Sequence, residues 1–315
     1  MAIPKCSESE FIDLVQKHGI GKTAKILKLC ERNVHARRRS IERMRGIVIK
    51  VNDPRSPTIQ VREHPARIIE TVKDGVVLVG SDAHYWPDII TTAHRAFVHF
   101  CKKLNPKIVV MNGDEFDGAS VSRHPPIGWE DIPSVQMELE TVAERLDEVL
   151  QASKNARHIW TLGNHDARFE TRLATQASEY AKVHGFHLKD HIPGWSPCWS
   201  VWVNDEVVIK HRWKGGIHAT HNNTVGSGKT MVTGHLHSLK ITPWTDYNGT
   251  RWGIDCGTLA DPGGPQFLDY CEDNPVNWRS GFAVLTFKDG KLLDPETVRV
   301  WDENSVVFRG EIIKV

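Results

Sequence analysis

Five short segments of the sequence carry side chains that bind metal ions, and each follows a stretch of apolar residues. Asp82 and His84 come directly after Val76-Val77-Leu78-Val79, a run that predicts a buried strand. Residues two apart in an extended segment point the same way, so both side chains are expected to reach one site. The segments are Asp82-x-His84, Gly113-Asp114, Gly163-Asn164-His165-Asp166, His211 after Val207-Val208-Ile209-Lys210, and Gly234-His235-Leu236-His237.

The types of ligand indicate which cations would bind. Carboxylate, amide and imidazole groups without thiolates suit Mn, Fe, Zn or Ni better than Ca or a cysteine-rich zinc site. The six cysteines are scattered and form no CxxC pair, which argues against a zinc ribbon and a dense disulfide framework. The glycines that precede Asp114, Asn164 and His235 are expected to let the backbone turn sharply into the site.

In this order, the five segments resemble the pattern of the calcineurin-like metallophosphoesterase family, which reads DxH, GDxxD, GNH[DE], H and GHxH. One such block is weak evidence, whereas five in order are specific. The resemblance covers roughly half of the chain and implies an αββα sandwich with two divalent metal ions. It assigns Asp82, His84 and His237 to one metal and Asn164, His211 and His235 to the other, with Asp114 as the bridge.

The resemblance also implies a mechanism. Two cations about 3.5–4 Å apart clamp a phosphate and acidify a water that attacks in line. His165 is expected to protonate the leaving alkoxide, and Asp166 is expected to orient that imidazole. Asp117, the last residue of GDEFD, is expected to contact a ligand rather than a metal. Manganese is the expected metal, with iron, zinc, nickel or magnesium as alternatives.

Other histidines compete for roles at this site. His221, which two asparagines follow, is an alternative to His211 as a ligand or a contact for the substrate phosphate. We prefer His211 because it follows its strand directly. His124 is either an assistant at the leaving group or an ordinary histidine of a surface loop.

Beyond the site segments, apolar runs and helical periodicity alternate, which predicts an α/β sandwich of two sheets with helices outside. The predicted helices are Ile89 to Leu104, Ser134 to Ser153 and Phe169 to Val183. The predicted strands are Val76 to Val79, Lys107 to Met111, Ala156 to Leu162, Trp199 to Val203, Glu206 to Lys210, Thr230 to Thr233, Trp252 to Asp255 and Phe282 to Phe287.

The amino-terminal segment differs from the rest in charge. Residues 1–46 contain eleven Lys and Arg against five Asp and Glu, although the whole chain is nearly neutral. Three short helices are predicted, at Glu8 to Gly19, Thr23 to Leu29 and Asn33 to Met44, and the third is basic. This pattern resembles a helix-turn-helix DNA-binding module, and the alternative is a solvated basic helix on a helical cap. The expected DNA-binding residues are Arg37, Arg38, Arg39 and Arg43.

These features predict three regions: a helix-turn-helix-like module at residues 1–46, a linker or hairpin at 47–73, and the metallophosphoesterase domain at 74–315. The chain has no apolar stretch of the roughly 20 residues that span a membrane, and its first residues do not form a signal peptide. We therefore expect a cytoplasmic protein without a membrane partner. The family resemblance alone favours a dimer.

The expected substrate is DNA, because a basic helical module precedes a phosphoester-cleaving core. The segments SDAHYW, GDEFD, LGNHD and GHLH resemble the nuclease subunit of double-strand-break repair complexes. The Arg of the phosphoprotein phosphatase block GDxVDRG is missing here, and no segment of this sequence matches the DNA-capping and ATPase-binding regions of the repair nucleases. The alternatives are a phosphomonoesterase or small-molecule phosphodiesterase, and a DNA-binding regulator with an inactive metal site. Tyr85, Trp86 and Trp213 are candidates for stacking on bases.

Overall fold

The computed structural model describes residues 6–49, 51, 64–125, 127–129 and 131–315, which fall into two compact units, Met1–Glu63 and His64–Val315. These residues form seven α-helices and fifteen strands. The helices are α1 (Glu8–Leu27), α2 (Glu31–Arg45), α3 (Thr92–Leu104), α4 (Val135–Ala152), α5 (Asp166–Gln176), α6 (Ala219–Ser227) and α7 (Pro265–Cys271). The strands are β1 (Arg67–Glu70), β2 (Gly75–Gly80), β3 (Ile108–Met111), β4 (Arg157–Thr161), β5 (Ser196–Cys198), β6 (Ser200–Val203), β7 (Val207–Ile209), β8 (Thr230–Thr233), β9 (Lys240–Asp246), β10 (Gly249–Asp255), β11 (Gly281–Lys288), β12 (Lys291–Leu292), β13 (Glu296–Asp302), β14 (Ser305–Phe308) and β15 (Glu311–Lys314).

The second unit contains two sheets. One has the strand order β15-β14-β13-β11-β2-β3-β4-β5, with β12 paired to β11, and the other has the order β1-β6-β7-β8-β10-β9. Strands β2, β3 and β4 run parallel, and so do β7, β8 and β10. Parallel neighbours bring their carboxyl ends to the same edge of a sheet, which is where open α/β sheets build their sites.

The alternation of side chains along β2 explains how the two sheets pack. Val77 and Val79 are fully buried in the apolar layer between the sheets, together with Ile209 and Val232 of the second sheet. Leu78 points to the opposite face and packs in the cluster that contains the side chains of α3 and α4. A strand that is apolar on both faces is typical of a sheet covered on both sides.

Helices close the outer faces of the sandwich. Helices α3 and α4 cover the larger sheet, and their amino termini are capped by the hydroxyls of Thr91 and Ser134. Helix α6 lies against the smaller sheet so closely that a β-carbon at Gly253 would be 2.1 Å from the carbonyl oxygen of Thr220. The predicted αββα sandwich is therefore confirmed.

In the first unit, the helices surround a small apolar core. Helix α1 begins with a capping box between Ser7 and Glu10, and Gly19 interrupts it with φ 72° and ψ 178°. Helix α2 begins at Glu31, with Cys30 as its N-cap residue, two residues before its predicted start at Asn33. The buried apolar residues are Phe11, Val15, Ala24, Leu27, Val34, Ile41 and Ile49.

The segment predicted as a linker or hairpin, residues 47–73, lies partly outside the described residues, which omit 50 and 52–63. Its carboxyl-terminal part holds β1, which pairs in parallel with β6 at the edge of the smaller sheet. In the part of the chain that the structure describes, no helix is long and apolar enough to cross a membrane.

Candidate metal centre

The structure brings six of the seven predicted ligands into one cluster at the carboxyl ends of the strands. Three overlapping groups of three residues each have ligand atoms within 4.8 Å of one another. His84 and Asp114 each belong to two groups, so the groups form one continuous set of donors. The groups are Asp82, His84 and His237; His84, Asp114 and His165; and Asp114, His211 and His235.

The backbone is strained where these side chains converge. Asp82, His84, Asp114, His235 and His237 all have positive φ, with values of 54°, 40°, 57°, 71° and 54°. A residue with a β-carbon rarely adopts this left-handed conformation, which costs of order 1–3 kcal/mol and persists only when its surroundings hold it. The convergence of these ligand groups on one place therefore costs the folded protein some stability.

Close approach of the backbone accounts for two of the glycines in the ligand segments. A β-carbon at Gly163 would lie 2.1 Å from Oδ1 of Asp114, and one at Gly234 would lie 1.9 Å from Oγ of Ser81. Only Gly113 of the three has positive φ, 85°. The prediction that each glycine provides a sharp turn is therefore wrong for Gly163 and Gly234, which are small because adjacent ligand loops pack against them.

Hydrogen bonds hold the rings of His84 and His211 by their Nδ1 atoms, which leaves Nε2 as the atom that would bind a cation. Nδ1 of His84 donates to Oδ1 of Asp117 at 2.7 Å, and Nδ1 of His211 donates to the carbonyl oxygen of Asn112 at 2.8 Å. Nε2 of His84 is buried and has no hydrogen-bond partner among the described residues, and the same holds for Oδ1 of Asn164. Nε2 of His211 lies 3.0 Å from Oδ2 of Asp114, the carboxylate with which it would share a cation. Such held rings and unpaired buried acceptors fit a divalent metal.

The charged groups of the cluster shift one another's pKa values. Burial lowers the pKa of His211, but the carboxylates of Asp114 and Asp82 outweigh it and raise that pKa to about 9. Burial raises the pKa of Asp82 and Asp114, yet neighbouring imidazolium charges leave both below their ordinary values. A site that stabilises protonated imidazoles between buried carboxylates is one where cations can replace the protons.

His165, which belongs to one of the three groups, contacts Asp117 rather than Asp166. Its Nδ1 lies 2.9 Å from the carbonyl oxygen and 3.1 Å from Oδ1 of Asp117. Its ring meets that of His84 edge to face, with centroids 4.6 Å apart. Asp117 therefore orients both a predicted ligand and the predicted general acid, in agreement with its expected place outside the metal ligands.

Asp166 has a structural position, so its predicted role of orienting His165 is wrong. Its buried carboxylate accepts hydrogen bonds from the backbone nitrogens of Gly163, Asp114, Glu115 and Phe116 at 2.8–3.1 Å. Nε1 of Trp160 donates to the same carboxylate at 3.1 Å. Asp166 is the first residue of α5, and its side chain turns back to satisfy the donors of two ligand loops.

Arg168 belongs to the site but was not among the predicted residues. Its Nη2 lies 3.1 Å from Nε2 of His165, and its Nη1 donates to the carbonyl oxygen of Asp117 at 2.9 Å. The sequence signal was the spacing, because His165 and Arg168 are three residues apart at the start of a helix and so face the same way.

The remaining candidates lie elsewhere. His221 packs edge-on against Trp244, with ring centroids 4.9 Å apart, and His124 is exposed in a loop. Tyr85 is only 4% exposed and its hydroxyl bonds to Nδ1 of His94, so the prediction that Tyr85 stacks on a base is wrong. Trp213 remains 46% exposed.

The four arginines predicted to bind DNA differ in their surroundings. Arg37 donates to the carbonyl oxygen of Cys6 at 2.8 Å and covers the ring of Phe11, so it links α2 to the start of the chain. Arg38 pairs with Glu42 at 3.5 Å. Arg39 and Arg43 are exposed, and their spacing of four residues places both on one face of α2.

An αββα sandwich with this donor set at its strand ends defines a metal-dependent phosphoesterase core. Residues 75–257 match the calcineurin-like phosphoesterase family, and the chain belongs to that family. Members of the family use divalent metals, and the residues described above would supply their ligands.

A solved structure that is similar to this chain is described as Yfce, a phosphoesterase from E. coli. The two are 17% identical, the match covers 70% of this chain and 97% of that chain, and the TM-score is 0.32. No curated protein sequence matches the chain significantly. The family assignment therefore rests on the sequence match.

Proposed function

We propose that the protein is a two-metal-dependent phosphodiesterase that hydrolyses DNA. The observation that carries the choice of DNA is the exposed basic face of α2, where Arg39 and Arg43 project beside the exposed Arg32. Arginine contacts to phosphates supply most of the sequence-independent affinity for DNA. Arg37 and Arg38 are left out of this surface because each is engaged within the amino-terminal unit.

The residues of the site would have separate roles in the hydrolysis. Two bound cations would polarise the phosphate and lower the pKa of the attacking water. Asp82, His84 and His237 would hold one ion, Asn164, His211 and His235 the other, and Asp114 would bridge them. His165 faces the cluster and would deliver a proton to the leaving oxygen, while Asp117 fixes the orientation of its ring. Arg168 would bind a phosphate oxygen through the same guanidinium group that now approaches Nε2 of His165.

A substrate panel tests the proposal. Protein supplemented with manganese is incubated with supercoiled, linear duplex and single-stranded DNA, and separately with p-nitrophenyl phosphate and its bis-ester. We expect cleavage of at least one DNA form and turnover of the bis-ester. Turnover of the monoester alone, with every DNA intact, would identify a phosphomonoesterase. DNA binding without any turnover would identify a regulator with an inactive site.

The basic face of α2 has its own test in the full-length protein. Replacing Arg39 and Arg43 together by alanine is expected to weaken DNA binding and reduce the slope of log affinity against log salt by roughly 2. Hydrolysis of the bis-ester should stay unchanged, because the substitutions leave the cluster intact. In the matched control, two exposed lysines of the other unit, Lys291 and Lys314, are replaced together by alanine. If the double variant and the wild type showed equal slopes of log affinity against log salt, the proposal that this face contacts DNA would be refuted.

A further inference from the structure

Aromatic side chains from α7 and the loop after it line the metal centre on one side. The ring of Trp278 contacts that of His237, with centroids 4.5 Å apart, and the ring of Phe267 lies 5.1 Å from that of His84. Phe267 and Trp278 also contact each other at 5.1 Å, and Tyr270 lies nearly parallel to Trp278 at 6.4 Å and 14°. We call Phe267, Tyr270 and Trp278 the aromatic wall.

Backbone and side-chain hydrogen bonds fix this wall to the ligand segments. Nε2 of Gln266 donates to the carbonyl oxygen of His84 at 3.2 Å, and the backbone nitrogen of Arg279 donates to the carbonyl oxygen of His237 at 2.7 Å. The residues that flank the wall are therefore tied directly to two predicted ligands. Any group bound to the cluster would meet these rings in a fixed geometry.

The wall is not an ordinary part of the core. Phe267 is 5% exposed and packs as a core residue does, but Tyr270 is 71% exposed and Trp278 is half-buried. The solvent-exposed face of a large aromatic ring contributes nothing to the stability of the fold. Its position instead suits a planar group that arrives with the substrate.

The charges around the wall indicate which part of a substrate would lie there. Asp269, Glu272 and Asp273 are exposed in the segment between residues 265 and 280, and they outnumber its one exposed cation, Arg279, whose guanidinium group donates to Ser238 and Asn277. Carboxylates repel a phosphate backbone, so a charged strand would not run across this surface. A neutral base next to the phosphate held at the cluster would not meet that repulsion.

We infer that Trp278 and Tyr270 form a stacking surface for the nucleobase adjacent to the scissile phosphate, and so determine specificity for nucleoside phosphoesters. The inference rests on the proposed phosphodiesterase function and names the substrate group that the site selects. Phe267 supports the surface from below by its contacts with Trp278 and His84. The surface would not distinguish one base from another, because every base has an aromatic face.

Two diesters with one leaving group test the inference. Thymidine 5′-(p-nitrophenyl phosphate) carries a base, methyl p-nitrophenyl phosphate does not, and both release p-nitrophenolate. Trp278→Ala is expected to lower kcat/KM for the thymidine ester by about 5- to 150-fold, the range for loss of one stacked base. The loss on the methyl ester should be much smaller, because that substrate has no base to stack, so the ratio of the two kcat/KM values should fall. Trp278→Phe should retain most of the preference for the thymidine ester.

Exposed aromatic residues elsewhere provide controls. Trp301→Ala and Tyr247→Ala remove rings that are 56% and 109% exposed and belong to other parts of the second unit, so neither should change the ratio of the two rates. Tyr270→Ala is the second test variant, because removal of a side chain that is largely in solvent should not unfold the protein. Equal losses on both diesters for Trp278→Ala and no change for Tyr270→Ala would overturn the inference.

A binding measurement separates this inference from the proposed function. Calorimetry compares adenosine 5′-monophosphate with ribose 5-phosphate, which lacks the base, on wild-type protein and on Trp278→Ala. We expect the wild type to prefer the nucleotide and the variant to lose that preference. If no diester is hydrolysed but the preference is lost in the variant, the proposed function fails while the stacking surface stands. An equal affinity of the wild type for both ligands would overturn the stacking surface alone.

Discussion

Replacing His165 by alanine is expected to lower kcat by roughly 10²- to 10⁴-fold on a thymidine dinucleotide, whose leaving group is an alkoxide. The imidazole lies next to His84 and is oriented by Asp117, so it is placed to protonate the leaving oxygen. An alkoxide leaves poorly without a proton. The p-nitrophenolate of thymidine 5′-(p-nitrophenyl phosphate) needs none, and its release should be much less affected.

The comparison of leaving groups distinguishes an acid from a residue that only shapes the site. Metal content of His165→Ala should equal that of the wild type, because Nδ1 of this ring is engaged with Asp117 and the other donors are unchanged. His124→Ala, at an exposed loop histidine, is the control and should leave both rates unchanged. Equal losses on the two diesters would refute the assignment of His165 as the general acid, and loss of a metal would show that it is a ligand.

Asp166→Ala is expected to lower the free energy of unfolding by about 3–5 kcal/mol. The substitution leaves four backbone N–H groups and the Trp160 indole N–H without their buried acceptor. Each unpaired buried donor costs about 1–3 kcal/mol, and water that enters the space would recover part of the total. Asp166→Asn should also destabilise the protein, because the NH₂ group of the new amide would face backbone N–H groups that are themselves donors.

Urea unfolding in the presence of a chelator measures this effect without a contribution from metal binding. The control is Asp269→Ala, an exposed carboxylate on α7 whose removal should change the stability by less than about 0.5 kcal/mol. If Asp166→Ala unfolded at the same urea concentration as the wild type, its carboxylate would not hold the two ligand loops together.

Local signals were sufficient to predict the half of the fold that carries the ligands. The apolar residues Val77 to Val79 and Ile108 to Met111 are buried on both faces, so composition and length alone indicated the strands. The helices α3 and α4 followed from their periodicity, although α3 begins at Thr92, three residues after its predicted start at Ile89. The ordered motifs identified the cluster because parallel strands bring ligand segments far apart in sequence to one edge.

Features that depend on contacts between distant parts of the chain could not be predicted from the sequence. Strand β9 contains Pro243 and lies at the edge of the smaller sheet, where the missing N–H of a proline is tolerated but its sequence argues against a strand. Strand β1 was assigned to a linker because four residues cannot be recognised without their partner β6. The aromatic wall was missed because Phe267 and Trp278 follow the last ligand by 30 residues or more and belong to no motif.

The role of Asp166 shows why adjacency in sequence is a poor guide to contact. Asp166 follows His165 directly, yet the start of α5 sends the two side chains in different directions. Asp117, which is 48 residues away, reaches the imidazole instead. The positive φ of five ligand residues was also beyond prediction. Asp and His tolerate this conformation better than most residues with a β-carbon, but the packing of the ligand loops decides where they adopt it.

Counting the bound metals tests the central claim most directly. Wild-type protein, dialysed against manganese and then against metal-free buffer, should retain two equivalents per chain by elemental analysis, and His124→Ala should retain the same. His237→Ala and His211→Ala should each retain one equivalent, because they belong to different ends of the cluster that share Asp114. One equivalent or fewer in the wild type, or two equivalents in both ligand variants, would contradict a two-metal centre built from these residues.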